Sequence, residues 1–336
     1  MERVMVTGGA GFIGSHLVDQ LIAMDVSVDV VDDLSTGRLA NLGTARNRGL
    51  GLLAFHQMDV RSPSLVALAK RRKPAIIFHL AAQTDVTHSL EDPFNDLTIN
   101  LGGTLRVLEA ALAGGTSKIV FAASAAIYGD PAPESIPLVE STPFVPLSPY
   151  GASKRAALDY LDLYRGRHDL EYTALIFANA YGPRQRGSAE SGVTSIFAER
   201  CLAGRPSTIF GDGSQTRDFV NVLDLVDALL RAMDNGGGLV VNVGTGRETK
   251  ISELYEHIAR ASGCTLRPRF ATKRLGDIER SALDNSRAMT QLGWKPLVEL
   301  EAGISDLMDW YREHPNEYLV RRNRAQVEDS PARQPK

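Results

Sequence analysis

The sequence predicts an α/β fold in which a doubly wound parallel sheet is accompanied by a smaller, interleaved α+β domain. Short apolar runs alternate along the first half of the chain with segments whose apolar residues recur at helical spacing. The first apolar run ends in a glycine-rich loop that opens a helical segment, and the chain becomes loop-rich after about residue 179. Strands that alternate with helices imply right-handed crossovers, and therefore a parallel sheet covered on both faces.

The individual elements follow in regular order. The first strand is predicted at residues 3–7 (RVMVT), the first helix at 15–24, and the second strand at 26–31 (VSVDVV). Further strands are predicted at 53–57, 75–80, 118–123, 172–178 and 239–243, with helices at 99–113 and 151–165. This order of elements is typical of a Rossmann sheet, which binds nucleotides at the carboxyl ends of its strands.

The change from alternating strands and helices to a loop-rich sequence predicts where one domain ends and the other begins. We expect residues 1–178 and 219–246 to form the Rossmann domain, because the strand at 239–243 returns to the sheet. Residues 179–218 and 247–320 are expected to form the smaller domain, which would bind the substrate. The last stretch, 321–336, is polar and low in apolar residues, and is expected to be a disordered tail.

Composition excludes several classes of protein. The 336 residues are 43% hydrophobic, which is ample for a core, and the net charge of −3 gives no reason to expect nucleic acid or an anionic membrane as a partner. Cys201 and Cys264 are the only two cysteines, so a disulfide scaffold and a metal site are not expected. No apolar run approaches the roughly 20 residues that span a bilayer, and no secretory signal is apparent. We expect a cytoplasmic protein.

The glycine-rich loop predicts a dinucleotide site. Segment 7–14 (TGGAGFIG) fits two glycine patterns, with its glycines at Gly8, Gly9, Gly11 and Gly14. Missing side chains let a pyrophosphate approach the backbone at the positive end of the following helix. Asp32 comes 18 residues after Gly14, at the end of the second strand, where a carboxylate binds ribose hydroxyls and repels a 2′-phosphate. The pattern favours NAD as cofactor, although Arg38 nearby leaves NADP open.

A tyrosine and a lysine four residues apart supply a candidate proton-transfer pair. In the segment YGASK, a helix would place Tyr150 and Lys154 on one face. A free tyrosine has a pKa near 10, so its use as a base near pH 7 requires the pKa to fall by about 3 units. A nearby ammonium and the positive nicotinamide ring of NAD⁺ could together lower it. The alternative is an amphipathic helix with an exposed lysine.

Six ordered motifs give the chain a specific resemblance. They are TGGAGFIG at 7–14, VDDLSTG at 31–37, HLAAQ at 79–83, SAAIYGD at 124–130, SPYGASK at 148–154 and NAYGPRQ at 179–185. Over about residues 3–310 the chain resembles the extended short-chain dehydrogenase/reductase family, and within it the nucleotide-sugar 4-epimerases. The resemblance implies NAD as cofactor, a UDP-sugar as substrate, and a homodimer that pairs the helices at 99–113 and 151–165 across a two-fold axis.

The resemblance also assigns site residues. It implies a catalytic triad of Ser124, Tyr150 and Lys154. The implied cofactor contacts are Gly8, Gly11, Phe12, Ile13, Gly14, Asp32, Asp33, Ser35, Gly37, Asp59, Val60, Leu80, Ala81, Ala82, Gln83, Tyr150 and Lys154. The implied substrate contacts are Ser124, Ala126, Tyr150, Asn179, Arg186, Val193, Arg217, Arg274, Asp277 and Ser281. Among these, Asn179, Arg217 and Arg274 would meet the diphosphate. Asp277 would take the uridine ribose, and Asp59 is either an adenine contact or a surface carboxylate.

The two residues after Ser124 discriminate between the reactions of the family. Family dehydratases place Asp-Glu there, and family decarboxylases place a glutamate at the second position. This chain has Ala125 and Ala126, which cannot move a proton. Epimerisation at C4 through a 4-keto intermediate remains. A non-catalytic NAD-binding protein and a sugar reductase or dehydrogenase with net redox stay open as alternatives.

Two residues bear on the identity of the sugar. Ser281 replaces the bulky tyrosine of hexose-restricted epimerases, so the pocket floor is expected to be open. Arg186 follows GPRQ, as in the UDP-glucuronate 4-epimerases that carry an arginine for the C6 carboxylate. The sequence therefore favours UDP-glucuronate and UDP-galacturonate. UDP-glucose/UDP-galactose or UDP-GlcNAc is the alternative, with Arg186 in a surface loop.

Overall fold

A seven-stranded parallel sheet forms the centre of the computed structural model, which describes residues 3–186, 192–273 and 278–315. In chain order the strands are β1 (Arg3–Thr7), β2 (Ser27–Asp32), β3 (Leu53–Gln57), β4 (Ile76–His79), β5 (Lys118–Ser124), β6 (Glu171–Phe177), β7 (Asn179–Tyr181), β8 (Thr208–Phe210), β9 (Thr216–Arg217), β10 (Phe219–Asn221), β11 (Leu239–Val243), β12 (Thr249–Lys250) and β13 (Arg269–Ala271). The sheet has the order β11-β6-β5-β4-β1-β2-β3. This confirms the doubly wound Rossmann fold, with the crevice expected where the order reverses beside β1.

Helices cover the sheet and connect its strands. They are α1 (Phe12–Ala23), α2 (Gly43–Arg48), α3 (Ser64–Arg72), α4 (Val86–Glu91), α5 (Pro93–Leu97), α6 (Gly103–Gly114), α7 (Pro149–His168), α8 (Val193–Leu202), α9 (Val222–Arg231), α10 (Ile251–Ser262), α11 (Ser286–Leu292) and α12 (Leu300–Glu313). Among the helices that the structure describes, none combines the length with the apolar character that crossing a bilayer requires.

Residues buried on both faces explain the central strands. Every residue of β2 (SVDVVD) is buried, as expected for a strand that is covered on both faces, although Ser27, Asp29 and Asp32 are polar. The buried carboxylate of Asp29 accepts hydrogen bonds from Arg72 at 2.7 Å and Arg3 at 3.1 Å. The charge of this carboxylate is therefore compensated inside the sheet rather than exposed.

The predicted helix at 99–113 differs from the observed one. The chain forms a π-helical turn over Thr98–Gly102, and α6 begins only at Gly103. A Cβ added to Gly103 would lie 2.8 Å from Cγ1 of Val60, so the helix approaches the segment after β3 closely. The wider turn carries the side chain of Asn100, which hydrogen-bonds Gln83, Asp96 and Ser153. Apolar periodicity does not distinguish such a turn from an α-helix.

A second hydrophobic core lies beyond the sheet. Its members come from β7, α8, β8, β10, α10 and α12, and include Tyr181, Phe197, Leu254 and Met308. Three two-stranded sheets accompany it, pairing β7 with β10, β9 with β12, and β8 with β13. The boundaries of the two predicted domains stay a prediction. The tail at 321–336, Arg274 and Asp277 lie outside the described residues.

Candidate active site

The glycine loop between β1 and α1 forms a cradle of backbone donors. Gly8 has a φ of +71°, and a Cβ there would lie 2.7 Å from the backbone nitrogen of Ala81. Gly11 precedes α1 without a side-chain cap, so the helix begins with uncapped N–H groups at Phe12 and Ile13. Close backbone approach and a helix N-terminus together fit the pyrophosphate of a dinucleotide.

Asp32 and Asp33 stand at the end of β2, next to this loop. The Asp32 carboxylate accepts hydrogen bonds from the backbone nitrogens of Ala10 and Leu34, each at 2.9 Å, and burial raises the pKa of the carboxyl. A carboxylate has about four acceptor sites, so two remain for ribose hydroxyls. Asp33 accepts from the Ser35 hydroxyl at 2.6 Å. A Cβ at Gly37 would lie 2.6 Å from Asp32 Oδ1, so a larger residue would crowd the carboxylate.

The segments after β3 and β4 border the same crevice. Leu80, Ala81, Ala82 and Gln83 follow β4 and are all half-buried. Gln83 is fixed by the side chain of Asn100, which accepts from its backbone nitrogen at 2.9 Å. Asp59 instead forms a forked ion pair with Arg61, at 2.6 Å, and this guanidinium lowers the pKa of Asp59. Val60 beside it is buried.

Ser124, Tyr150 and Lys154 come together at the carboxyl end of β5. Ser124 ends that strand, and the Ser148 hydroxyl accepts from the Gly151 nitrogen at 3.1 Å to cap α7 just before Tyr150. The Tyr150 hydroxyl is hydrogen-bonded to Ser124. One turn further, Lys154 Nζ donates to the Ala122 carbonyl at 2.9 Å. Tyr150 is 8% exposed and Lys154 is 4% exposed, so the predicted surface alternative for the lysine is wrong.

Burial dominates the electrostatics of this cluster. It raises the pKa of Tyr150, against the hydrogen bond from Ser124, and it lowers the pKa of Lys154 to about 8. Burial and the carboxylate of Asp96 outweigh the effect of the Ser124 hydrogen bond on the tyrosine pKa, whereas the sequence argument expected the lysine and the nicotinamide ring together to lower it. The positive charge of a bound nicotinamide is the remaining contribution that would lower it.

A buried histidine that the sequence analysis did not single out lies beside the lysine. His79 Nδ1 accepts from the Thr7 hydroxyl at 2.8 Å, and its Nε2 donates to Thr104 at 3.1 Å, because Thr104 itself donates to the Asn100 carbonyl. Burial, and then the charge of Lys154, lower the pKa of His79 to about 3. The ring is therefore neutral at every pH at which the protein would work.

A buried carboxylate, Asp96 of α5, is the second residue that the sequence analysis missed. It accepts hydrogen bonds from Ser153 Oγ at 2.8 Å, Gln83 Nε2 at 2.9 Å and Asn100 Nδ2 at 3.0 Å. The polar composition of EDPFND predicts an exposed turn, and nothing in the spacing signals burial. Two local signals fix where this short helix begins: Asp92, whose side chain accepts from the Asn95 nitrogen, and Pro93 at the first helical position.

A cavity of about 180 Å³ brings three predicted substrate residues together. Asn179 from β7, Val193 from the start of α8 and Arg217 from β9 line it. The remaining lining residues are Phe197, Thr208, Ile209, Phe210, Gln215 and Ile251. Apolar and aromatic walls with one guanidinium suit a base and a phosphate group.

The other predicted substrate residues lie in separate places. The Ala126 nitrogen donates to Ser124 Oγ at 3.3 Å, so this alanine adjoins the triad. Ser281 is buried. Arg186 is half-buried and its carbonyl accepts from Ser195 Oγ at 3.0 Å. As far as the described ranges show the lining of the cavity, Arg186 is not part of it.

Comparisons with known proteins agree with this geometry. A family model described as the NAD dependent epimerase/dehydratase family matches residues 4–244. A UDP-glucose 4-epimerase of Mycolicibacterium smegmatis is 47% identical over 312 residues, which are 92% of this chain and 98% of that protein. A crystal structure of the UDP-glucose 4-epimerase of Thermotoga maritima with UDP-glucose has a TM-score of 0.89 and 38% identity, covering 93% of this chain and 99% of that one. The Thermus thermophilus UDP-glucose 4-epimerase, solved in complex with NAD, has a TM-score of 0.85 and 38% identity, covering 92% and 99%.

Proposed function

Because this chain belongs to the NAD-dependent epimerase/dehydratase family, we propose that it epimerises a UDP-sugar at C4 through a 4-keto intermediate. Its cofactor is NAD. The observation that carries the proposal is the buried cluster of Ser124, Tyr150 and Lys154 beside the glycine loop. Similarity over nearly the whole length of characterised relatives supports the same activity.

The proposed chemistry assigns a role to each member of the cluster. The glycine loop, Asp32 and the segment after β4 would hold NAD, which would accept the hydride from C4 and return it to the opposite face of the 4-keto sugar. Tyr150, as phenolate, takes the proton from the sugar O4, and Ser124 hydrogen-bonds the same oxygen. The Lys154 ammonium stabilises the phenolate and binds the nicotinamide ribose. The 4-keto sugar then turns about its link to UDP, and Tyr150 returns the proton to O4 of the inverted product.

The neighbours of Ser124 support epimerisation over the other reactions of the family. Ala125 and Ala126 follow Ser124 directly and offer no acid or base to remove water or to assist decarboxylation. The hydrogen bond from the Ala126 nitrogen to Ser124 Oγ places this alanine beside the reacting hydroxyl. The presence of all three triad residues argues against a non-catalytic NAD-binding protein. Turnover by the purified protein without added NAD would exclude a reductase or dehydrogenase with net redox.

We propose that the substrate pair is UDP-glucose and UDP-galactose. The sequence favoured UDP-glucuronate because of Arg186, and the comparisons support the UDP-glucose alternative instead, since the relatives above are UDP-glucose 4-epimerases. The buried Ser281, where the resemblance puts the pocket floor, supports UDP-GlcNAc as a second substrate.

One assay across three substrates tests this proposal. We expect kcat/KM to be highest for UDP-glucose, measurable for UDP-GlcNAc and lowest for UDP-glucuronate. Arg186→Ala should change UDP-glucose turnover less than about threefold, because the neutral C6 hydroxymethyl group of glucose offers no carboxylate for an arginine to pair with. Ser281→Tyr should reduce UDP-GlcNAc turnover selectively. Preferred turnover of UDP-glucuronate that Arg186→Ala abolishes would instead restore the glucuronate assignment.

Two further parts of the account rest on the same proposal. We propose that residues 179–218 and 247–320 form the UDP-sugar-binding part of the chain, because every lining residue of the cavity falls in these ranges.

We also propose a homodimer. Exposed apolar side chains beside α7, among them Leu90, Phe94 and Leu163, would be covered by a second copy, and light scattering on the purified protein tests this.

A further inference from the structure

We infer that the buried Asp96 carboxylate is the counter-charge that holds Lys154 as an ammonium, and is thus a positioning residue of the reaction. This inference rests on the proposed function, in which the lysine acts as a cation. Asp96 belongs to α5, three residues after Pro93, and is fully shielded from solvent. It is separate from the three residues that would touch the substrate oxygen or the nicotinamide ribose.

The hydrogen bonds of Asp96 are compatible with an ionised carboxylate. Oδ1 accepts from Gln83 Nε2 at 2.9 Å and from Asn100 Nδ2 at 3.0 Å, and these amide nitrogens can only donate. Oδ2 lies 2.8 Å from Ser153 Oγ, whose single hydrogen can go either to Asp96 or to the Tyr150 carbonyl at 3.0 Å. The inference requires the ionised form, which these neutral partners can stabilise inside the protein.

The donors join three parts of the site. Gln83 belongs to the segment after β4 that borders the cofactor crevice, and Asn100 belongs to the π-helical turn. Ser153 lies on α7 between Tyr150 and Lys154, and its hydroxyl also contacts the Tyr150 carbonyl at 3.0 Å. Asp96 thus fixes the catalytic turn of α7 against the cofactor crevice, and a displacement of its side chain would move both.

The charge of Asp96 acts on both titrating groups of the cluster. Burial lowers the pKa of Lys154 to about 8, and the carboxylate of Asp96 opposes this decrease. Two neutral groups contact the ammonium, the Ala122 carbonyl and the Phe121 ring, whose centre lies 4.8 Å from Nζ. The same carboxylate raises the pKa of Tyr150. Asp96 therefore favours the protonated form of both residues.

Other ionisable groups on the elements around α7 are placed differently. His79 of β4 faces Lys154 as a neutral ring, and Tyr150 faces it from its own helix. The carboxylate of Asp85 caps α4 through the nitrogens of Thr87 and His88. Other ionisable groups on these elements are exposed or half-buried, or lie at the far ends of strands; they include His88 and Glu91 of α4, Asp92 before α5, Arg106 and Glu109 of α6, Arg155 and Asp159 of α7, Lys118 of β5 and Glu171 of β6.

Asp96→Asn tests the inference because it removes the charge and can keep the hydrogen bonds. The new Oδ1 can accept from Gln83 and Asn100, and the new Nδ2 can donate to Ser153 Oγ. Activity requires Tyr150 deprotonated and Lys154 protonated, so both limbs of the pH profile of kcat/KM should move to lower pH by about one unit. Asp92→Asn is the matched control, since it removes an exposed carboxylate that caps the same helix and should leave the profile unchanged.

A spectroscopic titration reads the same shift without turnover. The ultraviolet absorbance of tyrosinate, taken as a difference from Tyr150→Phe, should titrate about one pH unit lower in Asp96→Asn than in wild type. If the protein has no epimerase activity but this shift occurs, the proposed function fails while the charge assignment stands. Unshifted titration, or a uniform loss of activity at every pH, would overturn the inference and leave Asp96 a structural residue.

Unfolding measurements keep the inference testable if the single variant folds poorly. Lys154→Met leaves the Asp96 charge without its cation, so it should destabilise the protein, and adding Asp96→Asn in that background should restore stability. If Asp96→Asn lowers the stability of Lys154→Met by as much as it lowers the stability of the wild type, the two charges do not interact. That result would contradict the inference.

Discussion

At the scale of single residues, the proposed reaction depends on a tyrosine whose buried surroundings favour its protonated form. Burial raises the pKa of Tyr150, and the Ser124 hydrogen bond counteracts this increase only in part. A phenolate near neutral pH therefore needs the positive charges of Lys154 and of the nicotinamide ring at the same time. Different parts of the chain would hold these two positive charges. In the proposed arrangement Asp96 stabilises the Lys154 ammonium, and the glycine loop binds the cofactor that carries the nicotinamide ring.

Tyr150→Phe should lower kcat by about a thousandfold, because it deletes the base and leaves the cofactor cradle intact. Nucleotide released from the denatured variant should still contain NAD in the wild-type amount. Tyr160→Phe is the control, because this tyrosine lies on an exposed part of the same helix. If Tyr150→Phe kept more than a tenth of the wild-type activity, Tyr150 would not be the base.

The structure brings Ser124, Tyr150 and Lys154 together, and their catalytic role stays a prediction; the sequence analysis missed the buried polar residues around them. Ser124, Tyr150 and Lys154 belong to ordered motifs, so a resemblance carries them over one by one. Asp96 and His79 are polar residues whose burial depends on contacts with distant segments, such as Ser153 and Thr104. Local composition assigns an aspartate in a polar turn to the surface, because burial of a carboxylate requires partners that the local sequence does not reveal.

At the scale of elements, the sequence predicted a strand or helix well wherever one apolar pattern continues through the whole element. The strands of the central sheet lie within one or two residues of their predicted ranges, since buried parallel strands are short and almost uniformly apolar. The π-helical turn at Thr98–Gly102 was not predicted, because its apolar spacing is compatible with an α-helix. The contacts of Asn100 with Gln83, Asp96 and Ser153 accompany the wider turn, and they are tertiary.

The loop between β1 and α1 gives a prediction at this scale. Gly8→Ala should reduce the NAD content of the purified protein at least about tenfold, since the new methyl group collides with backbone at Ala81 as well as straining a positive φ. Gly51→Ala separates the two effects, because Gly51 has a φ of +85° and open space around it. Equal loss of NAD in both variants would contradict the cradle geometry.

At the scale of the whole molecule, two histidines join parts that are distant in sequence: His16, which is half-buried, and His79, which is buried. His16 of α1 donates from Nε2 to the Pro183 carbonyl at 2.9 Å, and thereby ties the helix after the glycine loop to the loop before Arg186. Arg184 of that loop bonds Asp19 of α1 at 2.6 Å. Burial lowers the pKa of His16 to about 4, and that of His79 to about 3. Both rings are neutral in the folded protein above these values.

This arrangement predicts how the free energy of unfolding depends on pH. The unfolded histidines bind protons below about pH 6.5 while the folded ones do not, so the stabilisation is complete above pH 6.5 and is lost as the pH falls. From pH 7 to about pH 5 each histidine should remove about 2 kcal/mol. Urea unfolding at both pH values measures this loss, and His16→Gln should reduce it whereas His88→Gln, which changes an exposed ring, should not. Identical loss in all three proteins would contradict the prediction.

The central claim is that one carbon is oxidised and reduced again within the same site, and a turnover experiment in deuterium oxide tests it most directly. Purified protein with no added NAD should convert UDP-glucose to UDP-galactose, because the bound cofactor is regenerated in each cycle. The hydrogen on C4 of the product should be the one that the substrate carried, with no deuterium from the solvent. Deuterium at C4, or turnover that requires external NAD, would contradict the account.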